Sequence, residues 1–102
     1  MDQIKRIQRM EEILDKSEAT LELLRIALVH YEELQQDLHT LIDYYESTLW
    51  RKDMLDDDHG RLPKDLKRGV LSEDGIWNML SEKDDLCRKM KQIVDEEKSL
   101  YD

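Results

Sequence analysis

Apolar residues recur at helical spacing along the first 45 residues of the chain. One series repeats every seven residues and a second lies three residues further on; we call their apolar members the N-terminal stripe: Ile7, Met10, Leu14, Leu21, Leu24, Leu28, Tyr31, Leu38, Ile42 and Tyr45. This spacing is typical of bundle helices and also of coiled coils. The stripe therefore predicts a long N-terminal helix that packs within the chain or pairs with another chain.

The lengths of the two helical arms differ. A helix over residues 2–47 would be about 68 Å long, whereas the 29 residues of the C-terminal arm would reach about 43 Å. A core position is also occupied by Gln35, and Asp37 is suited to cap a new helix. We therefore predict a first helix at about 2–34 and a second at about 37–48; without a break, the excess length would pair with another molecule.

Residues 60–72, which we call the connector, contain the only proline and two of the three glycines. Before it, Ser47 is predicted to cap a short helix over about 48–56. Pro63 suits the first turn of a further short helix. Gly69 is expected to end that helix in a left-handed conformation.

The final helix has the clearest predicted start. Ser72 is expected to be its N-cap, with acidic residues in the first turn and a hydrophobic staple between Leu71 and Ile76. The helix should extend over about 73–99. Its predicted buried stripe contains Ile76, Met79, Leu80, Leu86, Cys87, Met90, Ile93 and Val94, with Leu100 and Tyr101 at the fraying end.

These elements predict an all-α protein, either a small helical bundle or a long helical hairpin. In both, the long N-terminal helix packs antiparallel to the C-terminal helix, with short helices and the connector between them. A chain of 102 residues is near the common size of one domain, so a single domain over 1–102 is expected.

Charge and composition limit the partners. The net charge of −9 disfavours direct binding to nucleic acid or to an anionic membrane. No apolar run is long enough for a membrane helix, and the N-terminus lacks the apolar core of a signal peptide. A single cysteine excludes an internal disulfide. A cytoplasmic protein is expected.

No catalytic constellation, metal site or cofactor site is predicted. His30 and His39 are nine residues apart and fall on opposite helix faces, and the chain has no Glu-x-x-His element. The turn from Asp56 to Gly60 does not have calcium-loop spacing. Cys87 lies on an apolar stripe, where a buried and inert thiol is expected. We therefore expect the protein not to be an enzyme.

Two groups are candidates for binding. The connector carries four cations and one acid over residues 60–71, and these cations are Arg61, Lys64, Lys67 and Arg68. They suit an anionic ligand or an acidic segment, or else they neutralise the nearby Asp53 and Asp56–Asp58. The second group is aromatic: Tyr44, Tyr45, Trp50 and Trp77. It either lines a small pocket or seals one end of the bundle.

Residues 62–74, LPKDLKRGVLSED, together with the Tyr44-Tyr45 pair and Trp50, resemble a family of small bacterial proteins. The opening residues 3–7 and 10–11 are similar to it as well. The family is catalogued as domain of unknown function 4298. The resemblance implies a bacterial, intracellular, helical protein, and it implies no activity.

Three functions remain open from the sequence. The first is a protein–protein interaction or self-associating module, a homo-oligomer or the partner of another protein, that uses the N-terminal stripe and the connector. The second is a binder of a small anionic ligand that uses the connector cations and the aromatic group. The third is an acidic regulator that mimics nucleic acid.

Overall fold

The computed structural model describes residues 2–101, with side chains over residues 2–99. Its helices are α1 (Asp2–Tyr45), α2 (Thr48–Asp58) and α3 (Glu73–Tyr101), and a 3₁₀ turn (Gly69–Leu71) precedes α3. The all-α class with long N-terminal and C-terminal helices is confirmed. The predicted side chains of Leu100 and Tyr101 lie outside those described. The antiparallel packing of the two long helices stays a prediction.

The predicted break at residues 35–37 is wrong, because α1 continues through it to Tyr45. Gln35 stays within the helix, where its Nε2 donates to the carbonyl of Tyr31, 2.9 Å away and one turn earlier. Asp37 therefore begins no new helix. With neither glycine nor proline in the segment, nothing in the backbone opposes continuation.

Contacts divide the chain into two units, one that ends at Ile42 and one that begins at Asp43. In the first unit, Leu38 is buried, while the stripe side chains from Ile7 to Leu28 are exposed. The expectation of a single domain remains untested by this division.

In the second unit, α2 has a well-formed start and end. Ser47 is the N-cap, as predicted, and its Oγ accepts a hydrogen bond from the backbone N–H of Trp50. The helix ends in a Schellman motif, in which Gly60 has φ of +69° and its N–H donates to the carbonyl of Asp57. The N–H of Arg61 donates to the carbonyl of Asp56, which completes the motif.

The left-handed glycine is therefore misplaced in the prediction. Among residues 2–101, positive φ occurs at Gly60 and not at Gly69, which instead starts the 3₁₀ turn. Pro63 begins no helix either: its carbonyl accepts from the N–H of Leu66, which closes a single turn. Gly75 packs so closely that an added Cβ would lie 2.7 Å from the carbonyl oxygen of Gly69.

The start of α3 agrees with the prediction, but its burial does not. Ser72 has extended backbone angles directly before Glu73, and both Leu71 and Ile76 are buried. Further along, however, the predicted buried stripe is largely exposed. The side chains that lie at least a third exposed are Leu86, Met90, Ile93 and Val94. Met79, Leu80 and Cys87 are half-buried. Ile76 is the stripe residue that is fully buried, so the prediction of a buried stripe is wrong for Leu86 and from Met90 to Val94.

Candidate functional site

The predicted aromatic group is split by the structure. Trp50 is buried, and its ring packs edge-on against Tyr45 with centroids 5.0 Å apart. The indole N–H of Trp50 donates to the carbonyl of Val70, 2.9 Å away, and so ties α2 to the 3₁₀ turn. Trp77 is 62% exposed and takes no part. Trp50 therefore belongs to the core, and the half-buried Tyr45 packs against it.

Tyr44 has a different environment and lines an open cleft of about 370 Å³ together with Asp53 and Lys67. The remaining lining is apolar: Leu62, Leu66, Val70 and Leu71. The hydroxyl of Tyr44 donates to Oδ2 of Asp53 at 2.6 Å. Burial, then this hydrogen bond and the carboxylate charge, raise the pKa of Tyr44 to about 12. The hydroxyl therefore stays protonated and holds Asp53 in place.

The connector cations do not converge on one site. Arg61 pairs with Oδ1 of Asp56 at 3.2 Å, and Arg68 pairs with Asp57. Arg68 also donates to the carbonyls of Pro63 and Leu66, so it ties the connector to α2. The predicted neutralisation of the acidic turn is thus confirmed for these two cations.

The two connector lysines remain. Within residues 2–101, neither Lys64 nor Lys67 makes a hydrogen bond or an ion pair, and both are exposed. Lys67 lines the cleft beside Tyr44, and Lys64 does not. The predicted four-cation site is therefore not formed as a unit.

A second cleft of about 450 Å³ lies on α2 and was missed by the sequence reasoning. Its polar lining comprises Thr48, Arg51, Lys52, Asp56, His59 and Arg61. The signal was available, because residues 48, 52, 55, 56 and 59 fall on one helix face. The basic site predicted from the connector cations alone did not include these residues of α2.

Oδ2 of Asp56 accepts from Nζ of Lys52 at 3.2 Å, while Oδ1 accepts from Arg61. These hydrogen bonds, first that of Lys52 and then that of Arg61, hold the pKa of the Asp56 carboxyl below its ordinary value. Nδ1 of His59 lies 2.8 Å from the carbonyl of Leu55, and this contact orients the ring. One carboxylate thus positions two cations at the same cleft.

Other features of the chain add no further chemistry. Within the part of the chain that the structure describes, no three His, Cys, Asp or Glu side chains are grouped closely enough to hold a metal ion. Cys87 is half-buried on α3. Over the same residues, no helix has both the length and the apolar content needed to cross a membrane.

Comparison with known proteins gives a family and nothing narrower. No curated protein and no solved structure matches the chain. One family does match, over residues 7–93, a span that includes both clefts and the whole N-terminal stripe. The resemblance seen in residues 62–74 is thereby confirmed: the chain belongs to the family described as domain of unknown function DUF4298.

Proposed function

We propose that the protein is a non-enzymatic interaction module that pairs with another helix, in a second copy or in a partner protein, through the N-terminal stripe. The carrying observation is the exposure of α1, on which the stripe side chains from Ile7 to Leu28 are 46% to 62% exposed. Soluble monomers rarely expose contiguous apolar patches above about 600 Å² unless the patch is functional.

The spacing of these side chains supports helix pairing over a small-molecule site. The members at seven-residue intervals, Ile7, Leu14, Leu21 and Leu28, are each about half exposed. Repeated at this interval along a 44-residue helix, they form a continuous seam that another helix can cover. A small ligand would cover only one or two of them.

The flanking surface is consistent with a helix partner as well. Charged residues separate the stripe positions, and several pair along the helix, as Arg25 does with Glu22. Pairs of this kind keep the outer face of a coiled coil solvated. The cytoplasmic location and the bacterial source implied by the resemblance stay predictions.

Sedimentation equilibrium of neighbouring leucine variants tests the proposal. Leu24 lies on the stripe, whereas Leu23, which is 71% exposed, lies off it. A charge placed on the seam must be desolvated on pairing, so Leu24→Glu should weaken self-association at least about 100-fold, a cost of about 2.8 kcal/mol. Leu23→Glu, the matched control, should weaken it less than about threefold.

Two results would count against the proposal. Equal losses in both variants would show that the stripe is not the seam. A wild-type chain that stays monomeric at high concentration, and that recovers no helical partner through Leu24 by site-specific photocrosslinking in its native cells, would remove the proposal altogether.

A further inference from the structure

The cleft on α2 is lined by more positive than negative side chains, although the chain as a whole is acidic. Three permanent cations, Arg51, Lys52 and Arg61, line it against the single carboxylate of Asp56. The local excess is therefore two positive charges in a chain whose net charge is −9. A concave site with an excess of one charge attracts small ions of the opposite sign, even when the whole protein repels larger anions.

Two of these cations are already positioned. Lys52 and Arg61 each donate to a different oxygen of Asp56, so both are held at the cleft before any ligand binds. An ammonium has three donors and a guanidinium five, and each uses one here. Donors are therefore left over, and less side-chain entropy is lost when an anion binds.

The third cation of the cleft is Arg51. Arg51 makes no hydrogen bond or ion pair with residues 2–101. Its guanidinium fork matches two oxygens of a tetrahedral anion. Thr48 and His59 also line the cleft and add a hydroxyl and an imidazole. Apolar lining comes from Leu55, so the site favours a compact polar group over an extended apolar one.

We propose that the cleft formed by Arg51, Lys52 and Arg61 binds a phosphate group, either as free phosphate or as the phosphate of a small phosphomonoester. Both sources present the same oxygens to the same three cations. The site lies on α2 and is independent of helix pairing by the N-terminal stripe. It also differs from the anion site predicted at the connector, since it shares only Arg61 with it.

Isothermal titration of the full chain with inorganic phosphate tests the site, with chloride at matched ionic strength as the reference. Arg51→Gln should weaken phosphate binding at least about tenfold, because it removes the bidentate cation. Lys64→Gln is the matched control: it removes the same charge from an exposed lysine of the same unit that lies outside the cleft. It should change the affinity less than about twofold.

The titration is repeated with glycerol 3-phosphate to distinguish the two sources. Tighter binding than inorganic phosphate would identify a phosphomonoester as the ligand, and equal or weaker binding would identify free phosphate. Arg51 has no internal partner, so its variant should keep the wild-type melting temperature. The proposal is overturned if wild type binds phosphate no better than chloride, or if Arg51→Gln and Lys64→Gln lose equal affinity.

Discussion

Helix α1 and the compact region, which we define as residues 43–80, are both helical but differ in how their apolar residues are used. In the compact region, Trp50, Leu71 and Ile76 are buried within a span of 27 residues. Along α1, apolar side chains repeat at regular helical spacing from Ile4 onwards, yet over residues 2–37 none is buried. Regular amphipathic spacing is therefore no guarantee of burial within the chain.

The compact region instead relies on specific contacts at irregular positions. The hydrogen bond from Trp50 to Val70 and the ion pair from Arg68 to Asp57 both join residues more than ten positions apart. Contacts of this kind fix one arrangement, whereas a repeating stripe accepts many partners and registers. This contrast predicts that the compact region is stable by itself and that α1 is stabilised by pairing with another helix.

The largest difference in stability is expected when isoleucine is replaced by alanine in each of the two regions. Ile76 is 3% exposed and Ile7 is 52% exposed. Ile76→Ala should lower the free energy of unfolding by about 2–4 kcal/mol, because it leaves a cavity. Ile7→Ala should change the free energy of unfolding by less than about 0.5 kcal/mol when the protein is too dilute to self-associate.

Urea unfolding can follow each region with its own probe. Both tryptophans, Trp50 and Trp77, lie in the compact region, so their fluorescence reports on it, and far-UV circular dichroism includes α1. Equal destabilisation by the two isoleucine substitutions at high dilution would show that α1 is buried within the chain. The proposed difference in burial between α1 and the compact region would then be wrong.

A smaller effect is expected at two glycines of the compact region. Gly75→Ala places a Cβ 2.7 Å from the backbone carbonyl oxygen of Gly69, so it should cost about 1–3 kcal/mol. Gly69→Ala meets nothing within 4 Å, and it should be neutral or stabilise by up to about 1 kcal/mol. Thermal unfolding of the two variants measures the difference, and a harmless Gly75→Ala would show that the 3₁₀ turn is loosely packed.

The smallest effect concerns pH. The pKa of Tyr44 is raised from its ordinary value of 10.0 to about 12, mainly by burial and then by Asp53. A raised pKa stabilises the fold below the unfolded value, so this contribution is complete below pH 10.0 and is lost as pH rises through about 12. Tyr44→Phe should remove this part of the alkaline pH dependence.

Phenolate absorbance during an alkaline titration checks the assignment. The difference between wild type and Tyr44→Phe should show one tyrosine that titrates near 12. Asp53→Asn should move this midpoint downwards but not fully back, because burial, the largest single cause, still raises the pKa. A midpoint at the ordinary value in the wild type would mean that Tyr44 is solvated.

Much of the local structure could be predicted from the sequence, because it depends on neighbouring residues. The cap at Ser47 and the start of α3 after Ser72 follow from side-chain chemistry within a few positions. The left-handed glycine was placed wrongly, since Gly69 was expected to end a short connector helix that does not form. The choice of Gly60 over Gly69 depends on hydrogen bonds back to Asp56 and Asp57.

The candidate sites were harder to predict, because they depend on which side chains meet. Four connector cations lie within eight residues of sequence, yet Arg61 turns to α2 and Lys67 to the cleft beside Tyr44. Arg51 and Lys52, which lie outside the connector, complete the basic cleft instead. Proximity along the chain was therefore a poor guide to proximity in space.

By itself, the sequence determined the helical class, the two long arms, the starts of α2 and α3 and the acidic character, since periodicity, capping and charge act locally. Only the tertiary structure decided that α1 runs unbroken past Gln35, that Trp50 belongs to the core and Trp77 does not, and that the stripe of α3 is fully buried at Ile76 and exposed from Met90 to Val94. Burial depends on what lies opposite a side chain, and periodicity specifies a face without specifying what covers it.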